Sequence, residues 1–280
     1  MKQISIGFSP CPNDTFIFDA LVNGRIDTGE FKFNPVLADV EELNRMALVG
    51  KLDVTKISIG AYAAASSHYV ILDSGSALGK GVGPLLVSKN FIGKNRFSSI
   101  RIAIPGKHTT ANLLLSIFFP EITDKTEVLF SDIENKVLMG EFDAGLLIHE
   151  GRFTYAHKGL TKLFDLGEVW ESKMHVPLPL GCIAARRSMD EPTRKQISEL
   201  IQSSLRFANA NPSIGKPYIL EHSQEMAPEV IESHINLYVN EFSVNLGPEG
   251  RSAIEFLLNN GTNSGLLTQI TEPIFNSIKL

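Results

Sequence analysis

Polar side chains lie next to an apolar run at two places in the sequence, and active sites often occur at such positions. His149 directly follows an apolar run, and a histidine there can take a proton near neutral pH. Thr109 and Thr110 precede another apolar run; at a helix start, their hydroxyls and the unpaired backbone N–H groups favour an anion such as a carboxylate. The structural alternative for His149 is a half-buried histidine with satisfied hydrogen bonds. The structural alternative for Thr109 and Thr110 is a plain helix cap. Glu150 should point away from His149 if the strand continues, so the two are not expected to form a dyad.

Two further loops follow apolar strands and bring polar groups to the same kind of position. In residues 9–15, two prolines stiffen the backbone and Asn13 or Asp14 can cap a following helix. In residues 56–58, at the end of a strand, Ser58 can donate a hydrogen bond just before the next helix. Capping alone also explains the first loop, and a structural hydrogen bond is the simpler interpretation of a single serine.

Several patterns resemble known binding motifs, but the residues around them do not support those functions. Residues 75–81 contain a glycine-lysine step like a phosphate-binding loop, but the glycine spacing is too short, no Ser or Thr follows Lys80, and a strand comes next. The two cysteines, Cys11 and Cys182, lie far apart, with no Cys-x-x-Cys motif and no Cys/His cluster at metal-ligand spacing. Nucleotide binding, a zinc site and a disulfide framework are therefore not expected, and no metal or cofactor is predicted.

A strand, a loop of Pro and small polar residues, and a capped helix occur in that order twice. The first copy runs from a strand at 4–8 to a helix at 15–22, and the second from a strand at 101–104 to a helix at 111–118. Alternating strands and helices predict parallel βαβ units, whose functional loops lie at the carboxyl ends of the strands. Two such half-chains predict an α/β protein of two lobes, with the polar loops facing one cleft.

Two apolar runs mark the joints between these lobes. Residues 83–89 and 180–186 each contain an apolar run and end in a basic residue, and we expect them to be strands that cross between the lobes. The first lobe is then discontinuous, with residues 1–87 and 186–280, and residues 88–185 form an inserted second lobe. The helical pattern that follows the second crossing is expected to pack on the first lobe.

Composition and charge restrict the partners. The chain has 280 residues and a formal net charge of -5, so it lacks the basic face that binding to a phosphate backbone requires. Its longest apolar region is interrupted by polar residues at 56 and 66–68, whereas a membrane span needs about 20 mostly apolar residues. The strand at 4–8 leads into a polar loop and does not resemble a secretory core. We therefore expect a cytoplasmic protein with a small-molecule partner, and neither nucleic acid nor membrane binding.

Five longer stretches are specific enough to identify a family. They are residues 9–18 (SPCPNDTFIF), 55–58 (TKIS), 105–111 (PGKHTTA), 148–155 (IHEGRFTY) and 177–181 (PLPLG). Together they resemble the 1,4-dihydroxy-6-naphthoate synthase family of the futalosine route to menaquinone, and the similarity covers nearly the whole chain.

The resemblance implies a periplasmic-binding-protein-like type II fold used as an enzyme. The implied reaction converts cyclic dehypoxanthine futalosine to 1,4-dihydroxy-6-naphthoate with loss of the sugar-derived part, and needs neither a redox cofactor nor a metal. By motif position, the family's catalytic base falls on His149, and its substrate contacts fall on Lys56, Ile57, Ser58, Thr110 and Ala111. Further candidates in the cleft loops are Ser9, Cys11, Asn13, Asp14 and Thr109.

Two alternatives share the fold that the resemblance implies. One is a solute-binding protein for a small carboxylate, which normally carries an export signal and does not need a histidine at the strand end. The other is chorismate dehydratase, a sister enzyme of the same route. The run SPCPNDT at residues 9–15 favours the naphthoate synthase over this sister enzyme.

Overall fold

Two β-sheets, each covered by helices, organise the chain, which this computed structural model describes over residues 1–223 and 227–276. The first sheet has the strand order β2-β1-β3-β11-β4, with β5 paired to β11, and the second has the order β10-β6-β9-β7-β8. The strands are β1 (Lys2–Phe8), β2 (Phe31–Leu37), β3 (Val54–Ser58), β4 (Tyr69–Ile71), β5 (Ala77–Gly79), β6 (Leu85–Ser88), β7 (Ile102–Ile104), β8 (Lys125–Glu127), β9 (Ala144–Leu147), β10 (Thr161–Asp165) and β11 (Leu178–Arg186). The α-helices are α1 (Pro12–Val22), α2 (Val40–Leu48), α3 (Ile59–Ala65), α4 (Thr110–Phe118), α5 (Ile133–Leu138), α6 (Gly151–Thr154), α7 (Leu166–Met174), α8 (Glu191–Ala210), α9 (Pro212–His222), α10 (Pro228–Tyr238), α11 (Glu241–Val244) and α12 (Gly247–Asn263).

Parallel strands carry the repeated units that the sequence predicts. β1 pairs in parallel with β2 and β3, and β7 pairs in parallel with β8 and β9. β3 is buried along its whole length, as expected for a strand covered on both faces of its sheet. The units are β1 followed by α1 and β7 followed by α4, so the predicted α/β class and its two strand-loop-helix copies are confirmed.

The chain passes between the two sheets twice. It leaves the first sheet after β5, enters the second at β6, and returns to the first at β11. Both apolar runs expected at the crossings are therefore strands, each paired within one sheet: β6 in the second and β11 in the first. A side chain on Gly83 would come within 2.1 Å of the backbone nitrogen of Gly167, so the first crossing runs tightly against the start of α7. The lobe boundaries at residues 87/88 and 185/186 stay a prediction.

The helices after β11 pack on the first sheet. α8 begins at Glu191 because the Asp190 carboxylate accepts a hydrogen bond from the backbone N–H of Thr193. Its apolar stripe, including Ile197 and Ile201, is buried in a cluster with side chains of α1 and β1. α10 packs against α1 and β5, which places it at the edge of the cleft. Within the described ranges, no helix is both long and apolar enough to cross a membrane.

Candidate active site

The carboxyl ends of β1, β3, β7 and β9 face one cavity. Its place at the strand ends suits a small-molecule ligand. The predicted residues that line it are Ser9, Asn13, Asp14, Lys56, Ile57, Ser58, Thr109, Thr110, Ala111 and His149. Cys11 lies behind this lining and is 1% exposed. The structure thus brings the predicted residues together, while their roles in binding or catalysis stay predictions.

The Asp14 carboxylate organises the loop between β1 and α1. Its Oδ2 accepts hydrogen bonds from the backbone N–H of Ser9 (3.1 Å) and from Ser9 Oγ (2.7 Å). Its Oδ1 accepts from Asn13 Nδ2 (2.9 Å) and from Lys56 Nζ (2.6 Å). A carboxylate with this many donors is held in one orientation, and the buried pair with Lys56 joins α1 to β3.

The expectation that Asn13 or Asp14 caps a helix starting near residue 15 is wrong. α1 begins at Pro12, and Cys11 is the N-cap residue, whose carbonyl accepts from the N–H groups of Asp14 and Thr15. Proline is favoured at the first helical position because its missing N–H is not needed there. The side chains of Asn13 and Asp14 are thereby left for contacts inside the cavity wall.

Ser58 and Ile57 differ in what they offer to a ligand. The backbone N–H of Ser58 donates to Asn44 Oδ1 (2.9 Å), and Asn44 Nδ2 donates to Ser58 Oγ (3.0 Å). The structural interpretation of this serine is therefore correct, and its hydroxyl hydrogen is still available to point into the cavity. Ile57 has no exposed surface and belongs to the core, so its contribution to the cavity is shape.

Both threonine hydroxyls at the start of α4 have structural partners. Thr109 Oγ1 caps the helix, because it accepts from the Asn112 N–H (3.2 Å) and donates to the Gly106 carbonyl (2.8 Å). Thr110 Oγ1 donates to the Leu180 carbonyl (2.5 Å) and accepts from the Gly60 N–H (3.1 Å). The capping interpretation is thus correct for Thr109. An anion at this end of the cavity would be bound by the first-turn N–H groups of α4, which have no partner within the helix.

His149 occupies a strained turn just after β9. Its φ of 57° lies in the left-handed region, which is uncommon for a residue other than glycine and costs on the order of 1–3 kcal/mol. Its ring lies edge-on to Phe130 at 4.9 Å between centroids. Burial lowers the pKa of His149 to about 4, reinforced by Lys56 and opposed by Asp14. At neutral pH the ring is therefore uncharged and has a lone pair available to accept a proton.

A carboxylate oxygen of Glu150 lies near the His149 ring, although the two residues line different pockets. β9 ends at Leu147, so the strand does not continue through the histidine as the expectation required. The left-handed turn instead brings a carboxylate oxygen of Glu150, a ring nitrogen of His149 and the sulfur of Cys11 within 4.8 Å of one another. Burial raises the pKa of Cys11 well above its usual value, so its sulfur carries a hydrogen in this arrangement.

Two residues of the cavity wall, His234 and Tyr238, were missed by the sequence reasoning. Both lie on the inner face of α10 and are buried, and His234 Nε2 is 3.0 Å from Asn13 Oδ1. The ring of His234 is nearly parallel to that of His149, with 6.2 Å between centroids. Burial raises the pKa of Tyr238, so its phenol is neutral. Their spacing on the apolar stripe of a predicted helix was the available signal, because polar aromatic residues on a buried face need partners.

Known proteins with similar sequences cover nearly the whole chain. Residues 4–262 match the family described as menaquinone biosynthesis. A 1,4-dihydroxy-6-naphthoate synthase of Thermus thermophilus is 44% identical over 98% of this chain and 100% of its own length. A protein of the same name from Streptomyces coelicolor is 40% identical over 94% of each chain.

Solved structures confirm the periplasmic-binding-protein-like fold. The alkanesulfonate-binding protein SsuA of Xanthomonas axonopodis superposes with a TM-score of 0.67 at 16% identity, over 96% of this chain and 95% of that one. A protein of Archaeoglobus fulgidus superposes with a TM-score of 0.89 at 35% identity, over 95% of this chain and 98% of that one. The first likeness concerns the fold alone. From the family match and the two curated relatives, the chain belongs to the menaquinone biosynthesis family.

Proposed function

We propose that this protein is a 1,4-dihydroxy-6-naphthoate synthase, a carbon-carbon lyase that acts on cyclic dehypoxanthine futalosine. The observation that carries the proposal is the uncharged His149, which faces the same cavity as the start of α4. A base and an anion site on one cavity fit a substrate that carries a carboxylate and must lose a carbon-bound proton. The curated relatives of the same name support this choice.

Binding begins at the anionic end of the substrate. The first-turn N–H groups of α4, at Thr110 and Ala111, receive the carboxylate, where the helix dipole favours negative charge. The Ser58 hydroxyl donates from the end of β3, and the Lys56 ammonium adds positive charge to the same wall. These contacts fix the substrate relative to His149, which lies across the cavity on the chain segment after β9.

Proton removal then starts the reaction. A nitrogen of His149 takes a carbon-bound proton from the substrate, and the electron pair left behind forms a double bond of the second ring as that ring becomes aromatic. The carbon-carbon bond to the sugar remnant breaks, and the remnant leaves with the electron pair of that bond and takes up a proton from water. Aromatisation supplies the driving force. A neutral imidazole suits this step, since it has a free lone pair at neutral pH.

Replacing His149 with Asn tests this assignment. The amide keeps similar size and polarity but cannot accept the proton, so turnover should fall by at least about 10²-fold while substrate affinity changes little. Product absorbance measures turnover, and isothermal titration measures affinity. His157→Asn, at an exposed position, is the matched control and should behave as wild type. Retention of a tenth of the turnover by His149→Asn would refute the assignment.

The same assays separate the two alternatives. A solute-binding protein would bind a small carboxylate and release it unchanged, and a chorismate dehydratase would consume chorismate while leaving cyclic dehypoxanthine futalosine intact.

A cytoplasmic location is also part of the proposal. It is supported by Cys11 and Cys182, which are both free thiols, as in proteins of a reducing compartment.

A further inference from the structure

Glu150 lies between the active-site cavity and a second pocket. Glu150 is 5% exposed. It lines the second pocket, together with Phe130, Ser131, Glu134 and Lys158. The Lys158 side chain at the rim is 44% exposed, so the second pocket is open to solvent. His149, the neighbour of Glu150 in the chain, lines the active-site cavity. The two consecutive residues thus line two neighbouring pockets.

The Glu150 carboxylate faces both histidines of the site. One of its oxygens lies within 4.8 Å of a ring nitrogen of His149, and Oε2 lies 4.0 Å from Nδ1 of His234. No hydrogen bond joins the two histidines, because His234 Nε2 faces Asn13 Oδ1 and His234 Nδ1 has no hydrogen-bond partner among residues 1–223 and 227–276. A proton can therefore travel from His149 to this carboxylate, by a small side-chain rotation or through one bridging water, but not directly to His234.

The surrounding hydrogen bonds fix the tautomer of His234. Asn13 Nδ2 donates to Asp14 Oδ1, so Asn13 Oδ1 is the atom that faces His234 Nε2 at 3.0 Å. That oxygen can only accept, and Nε2 must therefore carry the hydrogen. His234 Nδ1 is then an acceptor, buried, and without a hydrogen-bond donor among residues 1–223 and 227–276. This acceptor lies 4.0 Å from Oε2 of Glu150, so His234 faces the carboxylate that lies next to His149.

We propose that Glu150, positioned by His234, takes the proton that His149 removes from the substrate and passes it to water in the second pocket. The inference rests on the proposed function. The substrate C–H proton moves to a His149 nitrogen while its electron pair stays on the substrate; the same nitrogen then gives the proton to a Glu150 oxygen. Glu150 releases it to water, and both side chains return to their starting states. A protonated His149 cannot take a second proton, so this reset is needed before each new turnover.

The test compares the first turnover with the steady state in Glu150→Gln. His149 starts uncharged in this variant, so the first turnover needs no reset and should stay within about threefold of wild type. The steady-state rate should fall by about 10²-fold, with KM within about threefold, which gives a burst of one product per enzyme. Glu150→Asp keeps a carboxylate, so its steady-state rate should be at least about tenfold higher than that of Glu150→Gln. Glu134→Gln, at a buried carboxylate on the other wall of the second pocket, is the matched control and should show no burst.

A second variant separates a relay from a structural role. Glu150→Ala leaves a space next to the open pocket, and formate should restore its steady-state rate by at least about tenfold relative to sodium chloride at equal ionic strength. The Glu150→Ala variant could instead lose the same factor in the rate of the first turnover and in the steady-state rate, with no response to formate. That result would mean that Glu150 only shapes the site. A steady-state rate of Glu150→Gln within threefold of wild type would also overturn the inference. If the wild-type protein forms no naphthoate, the proposed function fails first and the relay with it.

Discussion

At the scale of single residues, the site depends on a histidine that the fold keeps uncharged. His149 lies in a backbone conformation that few non-glycine residues adopt, and its ring is desolvated in the cavity wall. Both features cost free energy in the folded protein. Strain and desolvation at one residue are typical of positions where function, not stability, determines the local structure.

The lowered pKa of His149 predicts an unusual pH dependence of kcat/KM. The uncharged ring is the active form, so the rate is lost as pH falls through the pKa of the free enzyme, which burial lowers from about 6.5 to about 4. We expect kcat/KM to be level from pH 7 to about 5 and to decline below that. Stopped assays of naphthoate between pH 4 and pH 8 measure this, with unfolding followed in parallel by circular dichroism. A decline centred near pH 6.5 would show that the histidine is solvated in the free enzyme.

Some of these residues could be found from sequence and others could not. His149 ends an apolar run, so its place at a strand end is visible in the pattern. The proximity of Glu150 to His149 was not predicted, because no pattern indicates that the backbone turns left-handed at His149. His234 comes from a helix far along the chain, and its contact with Asn13 depends on how that helix packs on α1. Local periodicity carries no information about either feature.

At the scale of elements, the start of α4 is fixed by a hydrogen bond that crosses between parts of the fold. Thr110 Oγ1 joins the helix to the Leu180 carbonyl on β11 and to the Gly60 N–H on α3. The N–H groups proposed to bind the substrate carboxylate belong to the same turn. Stability and substrate affinity are therefore linked through this one hydroxyl.

Thr110→Val should weaken both properties. Valine has nearly the same shape but leaves a partly buried carbonyl and a partly buried N–H without their partner, at a cost of about 1 kcal/mol in the free energy of unfolding. Urea titration measures that loss, and KM should rise severalfold because the helix start is less well fixed. Thr110→Ser keeps the hydroxyl and should retain most of the stability. Equal stability of the serine and valine variants would mean that the hydroxyl contributes nothing.

The two strand-loop-helix units were predictable to within a turn of helix. Alternating strands and helices predicted both repeated units because apolar spacing reports which face of an element is buried. The start of α1 was predicted too late, since Asn13 and Asp14 are good capping residues in isolation. In the fold, Lys56 on β3 pairs with Asp14, and Pro12 opens the helix instead. A long-range ion pair thus overrides a local preference.

At the scale of the whole molecule, a set of contacts joins the two sheets across the cleft. Glu41, on α2 beside the first sheet, accepts hydrogen bonds from the backbone N–H of His108 (3.1 Å) and lies 2.6 Å from His108 Nδ1. His108 belongs to the loop between β7 of the second sheet and α4. Arg45, one turn further along α2, pairs with Glu127 on β8. These contacts hold the carboxyl ends of the two sheets over the same cavity.

Glu41→Gln should loosen this junction with little effect on either sheet alone. A neutral amide loses the charge-assisted part of two hydrogen bonds, worth about 1.5–3 kcal/mol for a charged group, and 1.4 kcal/mol corresponds to a factor of ten in affinity. We expect KM to rise about tenfold, because the substrate must then supply more of the free energy that brings the lobes together. Steady-state kinetics measure KM, and small-angle scattering should show a larger radius of gyration without substrate. Glu42→Gln, at an exposed position on the same helix, is the control and should leave both quantities unchanged. An unchanged KM with an unchanged radius would mean that substrate binding does not depend on this junction, and that the lobes are held in place by the two chain crossings alone.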